Sequence, residues 1–295
     1  MSKQDTIISL LKEIDENIDN INDNGGSNAN LKELTVTANG EYLPADYGAD
    51  GFSKVTTNVF VHKIKVFSIV CSNECLDENG RWQESFVDTS LVENFTVSFS
   101  ASKLKRLEKI EVTSNATILS EMFKNATSLE WVDVSNYDLS NVTNVGEMFY
   151  NARVINNIDV SRWNVSNVTS FKMMFYNCNK LTKLDLTNWN IKETLVISTI
   201  SMFTNCKNLI SLIGEKTIDE VLNNNISCLN GLRIGSPTMF TNVTTLDRAS
   251  LRAIINGLAD NTGQTTQTLT INETLIAKLT EEDIAIATAK NWTIA

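Results

Sequence analysis

The sequence predicts an α/β repeat solenoid of parallel strands, preceded by an N-terminal helix or coiled coil and a small β module. Three observations support this fold class. The dipeptide Met-Phe falls at 122, 148, 174 and 202, spaced by 26, 26 and 28 residues. The pentapeptides DVSNY, DVSRW and DLTNW keep the same phase. An apolar pattern, L-x-x-L-x-L, runs through the copies, and its alternating end is typical of a short strand with one buried face.

The apolar pattern assigns one short strand to each copy. Its positions are Leu107, Ile110 and Val112; Leu129, Val132 and Val134; Ile155, Ile158 and Val160; Leu181, Leu184 and Leu186; then, more weakly, Leu209 and Leu212; Leu229, Leu232 and Ile234; Leu269 and Ile271; Trp292 and Ile294. A single strand cannot bury its apolar face alone. Stacking at a fixed period gives a continuous parallel sheet with a shared core.

Three further sets of residues recur in phase with the strands. Small residues are Ala126, Ala152, Cys178 and Cys206, aromatic residues are Tyr137, Trp163 and Trp189, and asparagines are Asn125, Asn151, Asn177 and Asn205. We expect the cysteines to serve as small buried residues and the aromatic column to pack the core rather than bind a ligand. We expect the asparagine column to lie inside the solenoid and to bond backbone groups of the turns.

The segments MFYNCNKLTKLDLTNWNIKET and NVTNVGEMFYNA resemble the BspA-like leucine-rich repeats of bacterial surface proteins and of some phage proteins. The resemblance covers roughly 105–214 and implies a solenoid of the leucine-rich-repeat type over 105–235. Two features depart from the pattern. The first unit is about four residues short, and the units after 214 vary in length. Because a solenoid needs an atypical last unit, 236–295 is predicted to form C-terminal capping repeats.

Residues 1–24 are predicted to form an oligomerisation or anchoring helix. The apolar residues follow a heptad spacing of 4, 3, 4 and 3: Ile7, Leu11, Ile14, Ile18 and Ile21. Isoleucine-rich seams favour trimers or higher states, so the chain is expected to be a homo-oligomer, with a trimer preferred. The alternative is an amphipathic helix that docks on its own domain. The polar stretch 22–30 reads as a flexible linker and favours an independent helix.

Residues 25–104 are predicted to contain this linker and a small β module, with a hairpin around Asn39-Gly40. In the C-terminal part, LDRASLRAIINGLAD and LTEEDIAIATAKN are predicted helices, and QTLTIN and WTIA are predicted strands. Thr280 and Asp283 are placed as a capping box. The stretch 31–59 resembles a segment of tail and other virion proteins of gut bacteriophages. LTEEDIAIATAKNWTIA is similar to the ending of many phage-encoded repeat proteins.

The composition argues against several classes of function. A net charge of −10 disfavours nucleic-acid binding and docking on anionic membranes. No apolar run is long enough for a membrane helix, and the absence of a signal sequence indicates a protein made in a cytoplasm. A lone His62, an isolated Cys71 and Cys75 pair and the lack of a phosphate-binding loop predict no enzyme activity, no cofactor and no metal.

The outer positions of the strands are the candidate partner-binding face. They comprise Lys109, Glu111, Trp131, Asp133, Asn157, Asp159, Lys183, Asp185 and Arg233. These positions differ between copies while their inward neighbours do not, and Trp131 is the strongest anchor. The carboxylates of this set, which we call the acidic column, are Glu111, Asp133, Asp159 and Asp185. We expect them to form a solvated acidic face, whose mutual repulsion would be relieved by neighbouring Lys109 and Lys183 or by solvent. Weak Ca²⁺ binding is the alternative.

The resemblances and the order of anchor, linker and repeats together imply a function. We expect a non-enzymatic bacteriophage virion protein, in a tail fibre, baseplate or capsid-surface fibre, that mediates protein–protein or host-surface adhesion. Its partners would be other virion proteins through the N-terminus and a host cell-surface protein or glycan, with no nucleic acid and no membrane insertion. The alternatives are a bacterial cell-surface adhesin and, third, a tail-borne glycan hydrolase, which would need a carboxylate pair in a cleft.

Overall fold

The computed structural model describes most of the chain from residue 92 onward and short pieces before it. The described ranges are 34–37, 41–44, 64–65, 68–69, 79–80, 87–89, 92–100, 103–107, 110, 112–192, 197–233 and 236–295. The predicted N-terminal helix and its heptad seam lie outside these ranges. His62, Cys71 and Cys75 also lie outside them.

Among the described residues, five short strands precede the repeats. They are β1 (Leu34–Thr37), β2 (Glu41–Pro44), β3 (Ile64–Lys65), β4 (Ser68–Ile69) and β5 (Val87–Asp88). Strands β1 and β2 are antiparallel, with Thr37 opposite Glu41, which confirms the hairpin predicted around Asn39-Gly40. Strand β1 also pairs with β4, and β3 pairs with β5, both in parallel.

A parallel ladder joins the copies at the residues just before each Met-Phe pair. We call it the first ladder; its bridges link Asn94 to Ile118, Ile118 to Asn144, Asn144 to Ser170 and Ser170 to Ser198. The N–H of Leu119 donates to the carbonyl of Asn144, and the N–H of Thr143 donates to the carbonyl of Thr117, both at 2.9 Å. No strand is predicted from the sequence in this segment.

A second ladder lies where the sequence predicted the strands. Strands β6 (Arg106–Leu107) and β7 (Trp131–Val132) pair in parallel, and parallel bridges join Asn157 to Lys183 and Lys183 to Ser211. In the first copy, however, Leu107 rather than Ile110 pairs with Val132. The predicted alignment of that copy is therefore wrong by three residues. Its apolar pattern begins at the buried Leu104, 25 residues before Leu129, so the first unit is only about one residue short of the period rather than four.

Two aromatic columns fill the core. Rings in adjacent copies stack at centroid distances of 5.2–5.8 Å in the column of Phe99, Phe123, Phe149, Phe175, Phe203 and Phe240. In the second column Trp163 stacks on Tyr137 at 6.4 Å and on Trp189 at 6.2 Å. The indole N–H of Trp163 donates to the carbonyl of Val134 at 2.8 Å. These rings are buried, which confirms that this column packs the core.

The asparagine column differs from its prediction. Each of its residues is partly or fully exposed and has a left-handed backbone, with φ between 60° and 63°. The side-chain amides bond one another across the copies at 2.7–2.9 Å. We call this set the asparagine ladder; it comprises Asn125, Asn151, Asn177, Asn205 and Asn242. The expected bonds from these side chains to turn backbone inside the solenoid are replaced by side-chain bonds at the surface.

The two in-phase cysteines are small buried residues, as predicted. Cys178 and Cys206 are fully buried with free thiols, at the position that Ala126 and Ala152 occupy in earlier copies. The thiol of Cys178 donates to the carbonyl of Phe149 at 3.2 Å. Cysteine here is therefore an alanine-sized residue with one additional weak hydrogen bond.

The C-terminal part contains four helices and two strands. They are α1 (Ile218–Asn224), α2 (Arg248–Gly257), β8 (Gln267–Leu269), α3 (Glu273–Ile276), α4 (Glu281–Ala289) and β9 (Trp292–Ile294). The predicted helices α2 and α4 and strands β8 and β9 are confirmed, as is the capping box of Thr280 and Asp283. Helix α1, which begins with a capping box of Thr217 and Glu220, was not predicted.

One hydrophobic cluster runs from Val92 to Trp292. Phe95 and Phe99 belong to it, so the stack begins before the predicted boundary at 105. The leucine-rich-repeat solenoid itself stays a prediction, because β6 to β9 have only two or three residues each and many copies meet through single bridges. In the part of the chain that the structure describes, each helix is too short or too polar to cross a membrane.

Candidate partner-binding face

The second ladder brings some of the predicted face residues together. Trp131 lies beside Arg106, and Asn157 lies beside Lys183. We call these four residues, with the aspartates that follow them, the sheet face. The sequence pattern aligns Lys109 with Trp131. The pairing of β6 and β7 shows that Arg106, not Lys109, is the residue opposite Trp131. Lys109 and Glu111 lie outside the described residues.

Trp131 is half-buried rather than fully open. The guanidinium of Arg106 lies 4.0 Å from the centre of its ring, which is a cation–π contact of the kind that contributes about 0.5–1 kcal/mol at exposed sites. One ring face is therefore covered from within the chain. The pair forms a flat aromatic and cationic surface at the start of the sheet face.

Lys183 and Asp185 each bond an oppositely charged side chain from the loop before α1. The ammonium of Lys183 bonds Glu215 at 2.6 Å, and both side chains are well exposed. The carboxylate of Asp185 bonds Lys216 at 2.5 Å. Partial burial raises the pKa of Asp185, but hydrogen bonds from Lys216 and Thr187 outweigh it, and the net shift is downward. Lys216, rather than the neighbouring Lys183, supplies the cation beside Asp185.

The aspartates of the column have a common structural role. In each case Oδ1 accepts bonds from the backbone N–H and the hydroxyl of the Ser or Thr two residues later. The pairs are Asp133 with Ser135, Asp159 with Ser161 and Asp185 with Thr187, at 2.6–3.1 Å. Such side-chain bonds close tight turns. Turn closure accounts for the repeated aspartate without a bound cation, and among the described residues no group of three potential ligands is close enough to hold a metal.

Arg233 contacts the C-terminal part of the chain. Its Nη1 donates to Oδ1 of Asn261 at 2.9 Å and to the carbonyl of Asp260 at 3.4 Å. Asn261 in turn donates from Nδ2 to the carbonyl of Arg233 at 2.9 Å. Arg233 therefore helps to join the last repeats to the capping region.

Residues 85–227 match a family model described as "Mycoplasma protein of unknown function, DUF285". The match spans the repeats and just under half of the chain. Comparison with curated proteins found no match. Comparison with solved structures found none either. The chain is thus similar to this family over its repeats, and the description of the family names no activity.

Polar side chains that were not predicted form hydrogen bonds between adjacent copies. Nδ2 of Asn141 donates to the carbonyl of Ser114 at 2.8 Å, and Nδ2 of Asn167 donates to that of Ser140 at 2.6 Å. The hydroxyl of Thr169 bonds the carbonyl of Thr143 at 3.1 Å. The tripeptide Asn-Val-Thr recurs in phase at 141 and 167, and this repetition could have indicated the bonds between copies.

Proposed function

We propose that this protein is a non-enzymatic structural protein of a bacteriophage virion that adheres to a partner through its sheet face. One observation carries the adhesive part. Inward positions keep apolar character from copy to copy, while outward positions of the second ladder change from Arg106 to Trp131, Asn157 and Lys183. A constant scaffold with a variable outer row is what recognition by a repeat protein requires.

The proposal includes an architecture. The copies form a solenoid of the leucine-rich-repeat type, and residues 1–24 form a helix that assembles the chain into a homo-oligomer, preferably a trimer. The N-terminus contacts other virion proteins in a tail fibre, baseplate or capsid-surface fibre. The sheet face contacts a host cell-surface protein or glycan. The stacked Phe and Trp columns support a stiff repeat region, because close-packed aromatic cores resist deformation.

The virion assignment rests on the terminal segments. Residues 31–59 and the last seventeen residues resemble segments of phage proteins, and the order of anchor, linker and repeats suits a particle protein that projects outward. Helices α2 and α4 pack against each other in the predicted capping region, which supports such a design.

A bacterial cell-surface adhesin is the second candidate. The family that matches 85–227 is described by the name Mycoplasma, a bacterium, which favours a cellular origin for the repeats. The same sheet face would then meet the partner, but the protein would be carried by a cell rather than by a particle.

Purified particles distinguish the two candidates. Phage particles from a culture that carries this gene are banded by density, labelled with a membrane-impermeant amine reagent and analysed by mass spectrometry. We expect the protein in the particle fraction, with exposed Lys180 and Lys207 labelled. Its presence in the bacterial surface fraction and absence from particles would establish the adhesin instead.

A further inference from the structure

Three exposed cations follow the asparagine ladder in three successive copies. Arg153, Lys180 and Lys207 come two or three residues after a ladder asparagine, and all three are exposed. We call them the basic corner, since they lie where the chain turns from the Met-Phe segment toward the second ladder. Arg153 precedes Asn157 of the sheet face by only four residues.

Among the residues that the structure describes, the basic corner has no acidic partner. Within the described residues no carboxylate lies at ion-pair distance from its three cations, whereas Lys124 bonds Glu121 at 2.7 Å and Glu147 at 2.8 Å. The corner segments of five copies read NATS, NARV, NCNK, NCKN and NVTT, without Asp or Glu. The chain has a net charge of −10, but the basic corner produces a local positive potential, which attracts anions.

The asparagine ladder adds neutral donors beside these cations. A side-chain amide nitrogen carries two N–H groups. In Asn151, Asn177 and Asn205 one of them bonds Oδ1 of the preceding ladder residue, and the structure gives the other no partner among the described residues. The Oδ1 atoms of these residues accept ladder bonds. The corner therefore presents mainly hydrogen-bond donors, which suits oxyanions.

We propose that the basic corner binds a linear anionic polysaccharide that runs along the successive copies. This inference rests on the adhesive function proposed above and adds to the sheet face a second contact surface, with the chemistry of its ligand. Paired strands lie about 4.8 Å apart, so an extended polymer that runs along the stack can reach all three cations. An acidic sugar offers carboxylate and hydroxyl oxygens together, which suits cations that stand beside neutral amide donors. An acidic peptide is a poorer fit, because its side chains offer carboxylates without hydroxyl acceptors beside them.

The full chain is tested with polygalacturonate as the probe, by isothermal titration calorimetry at low salt. Dextran is the neutral comparison and polyglutamate the acidic peptide. We expect polygalacturonate to bind, and the variant Arg153→Gln, Lys180→Gln, Lys207→Gln to bind it at least about tenfold more weakly. The matched control neutralises three exposed cations outside the corner, Arg162, Lys172 and Lys192, and should stay within about twofold of the unmodified chain.

Each outcome decides the proposal. Circular dichroism and thermal melting establish that the variants fold; if the triple variant does not, Lys180→Gln alone should weaken binding by about threefold. Failure of the unmodified chain to bind polygalacturonate, equal binding of polyglutamate, or an equal loss in the control would overturn it. If polygalacturonate does not bind while the chain still attaches to host cells, only this inference is contradicted. If the chain also does not attach to host cells, the proposed adhesive function is contradicted as well.

Discussion

The side-chain amide of Asn177 donates a 2.7 Å hydrogen bond to Oδ1 of Asn151, one copy earlier. Both residues have φ of 60°. The position thus makes two demands, a left-handed backbone and a side chain that both donates and accepts. Asparagine meets both, because it visits the left-handed region more readily than other non-glycine residues and its amide has both kinds of group.

Asn177→Ala should therefore lose more stability than Asn177→Gly. The alanine variant loses about 0.5–1 kcal/mol of unfolding free energy for each of the two partly exposed ladder bonds and about 1–2 kcal/mol for the left-handed backbone. The glycine variant loses only the contribution of the two bonds. We expect urea unfolding to show a decrease of about 2–4 kcal/mol for alanine and about 1–2 kcal/mol for glycine. Equal losses would show that backbone strain contributes nothing.

The period predicted which residues are equivalent in successive copies, but it did not predict which atoms meet. The asparagine column was found from its spacing, whereas its partners depend on how neighbouring copies are offset. The first ladder was missed for a different reason. Its buried residues Val142 and Val145 are three positions apart, so the segment lacks the alternation by which a strand is predicted from sequence.

The candidate site was predictable only in part. The aspartates of the sheet face occur in DVS or DLT, and the Ser or Thr two residues later already indicated a turn-closing bond. The partner of Asp185 was not predictable, because Lys216 is 31 residues away and follows an irregular unit. The shift from Lys109 to Arg106 was missed because Leu107, Ile110 and Val112 fit the apolar pattern by themselves, so the pattern alone did not fix the register of the first copy.

Asp283 is expected to dominate the stability of the capping region. It is fully buried, and its carboxylate bonds Nη1 of Arg252 at 2.6 Å and Nε of Arg248 at 3.1 Å. Asp283→Asn leaves the nearly buried Arg252 without its main counter-charge, which should cost about 3–5 kcal/mol in unfolding free energy. Glu282→Gln is the control: Glu282 also bonds Arg252 but is largely exposed, so the loss should be under about 1 kcal/mol.

The same carboxylate makes stability depend on pH. Burial raises the pKa of Asp283, but hydrogen bonds from the Thr280 N–H, Arg252 and Arg248 outweigh it and lower the pKa to about 2. Because the folded pKa lies below the ordinary 3.8, its stabilisation is present above that value and is lost as the pH falls toward 2. Unfolding free energies should lose about 2 kcal/mol from this group over that range, and Asp283→Asn should lack this component.

Cys178, Cys206 and Cys228 should be inert in the folded protein. Burial raises the pKa of the Cys206 thiol to about 12 and raises those of the other two. The reactive thiolate is therefore scarce, and the sulfur atoms are inaccessible. Treatment with iodoacetamide near pH 8 should leave all three unmodified in site-resolved mass spectrometry, and full modification should follow in urea. Rapid labelling of Cys206 without denaturant would contradict the packing described for it.

The N-terminal seam should hold the oligomer together. Burial of Ile7, Leu11, Ile14, Ile18 and Ile21 would contribute about 1.5–3 kcal/mol per side chain before entropic costs. Ile14→Asp with Ile18→Asp should therefore give monomers by light scattering, with an unchanged circular dichroism signal from the repeats. Glu13→Gln with Glu16→Gln, which change residues outside the predicted heptad seam, should keep the oligomer. An unchanged mass for the aspartate variant would favour a helix docked on its own domain.

The sheet face should make its strongest contact with a partner near Trp131. The ring is half-buried and is covered on one face by Arg106 at 4.0 Å, so it is held in place before binding and loses little conformational freedom. Lys183, also in the second ladder, adds a partly exposed charge.

Trp131→Ala with Lys183→Glu should weaken attachment to host cells or particles by at least about tenfold, since aromatic anchors dominate interfaces. Lys183→Glu with Glu215→Lys, which keeps the ion pair in reversed order, reports on charge alone. Full attachment by a folded Trp131→Ala, Lys183→Glu variant would place the contact elsewhere on the molecule.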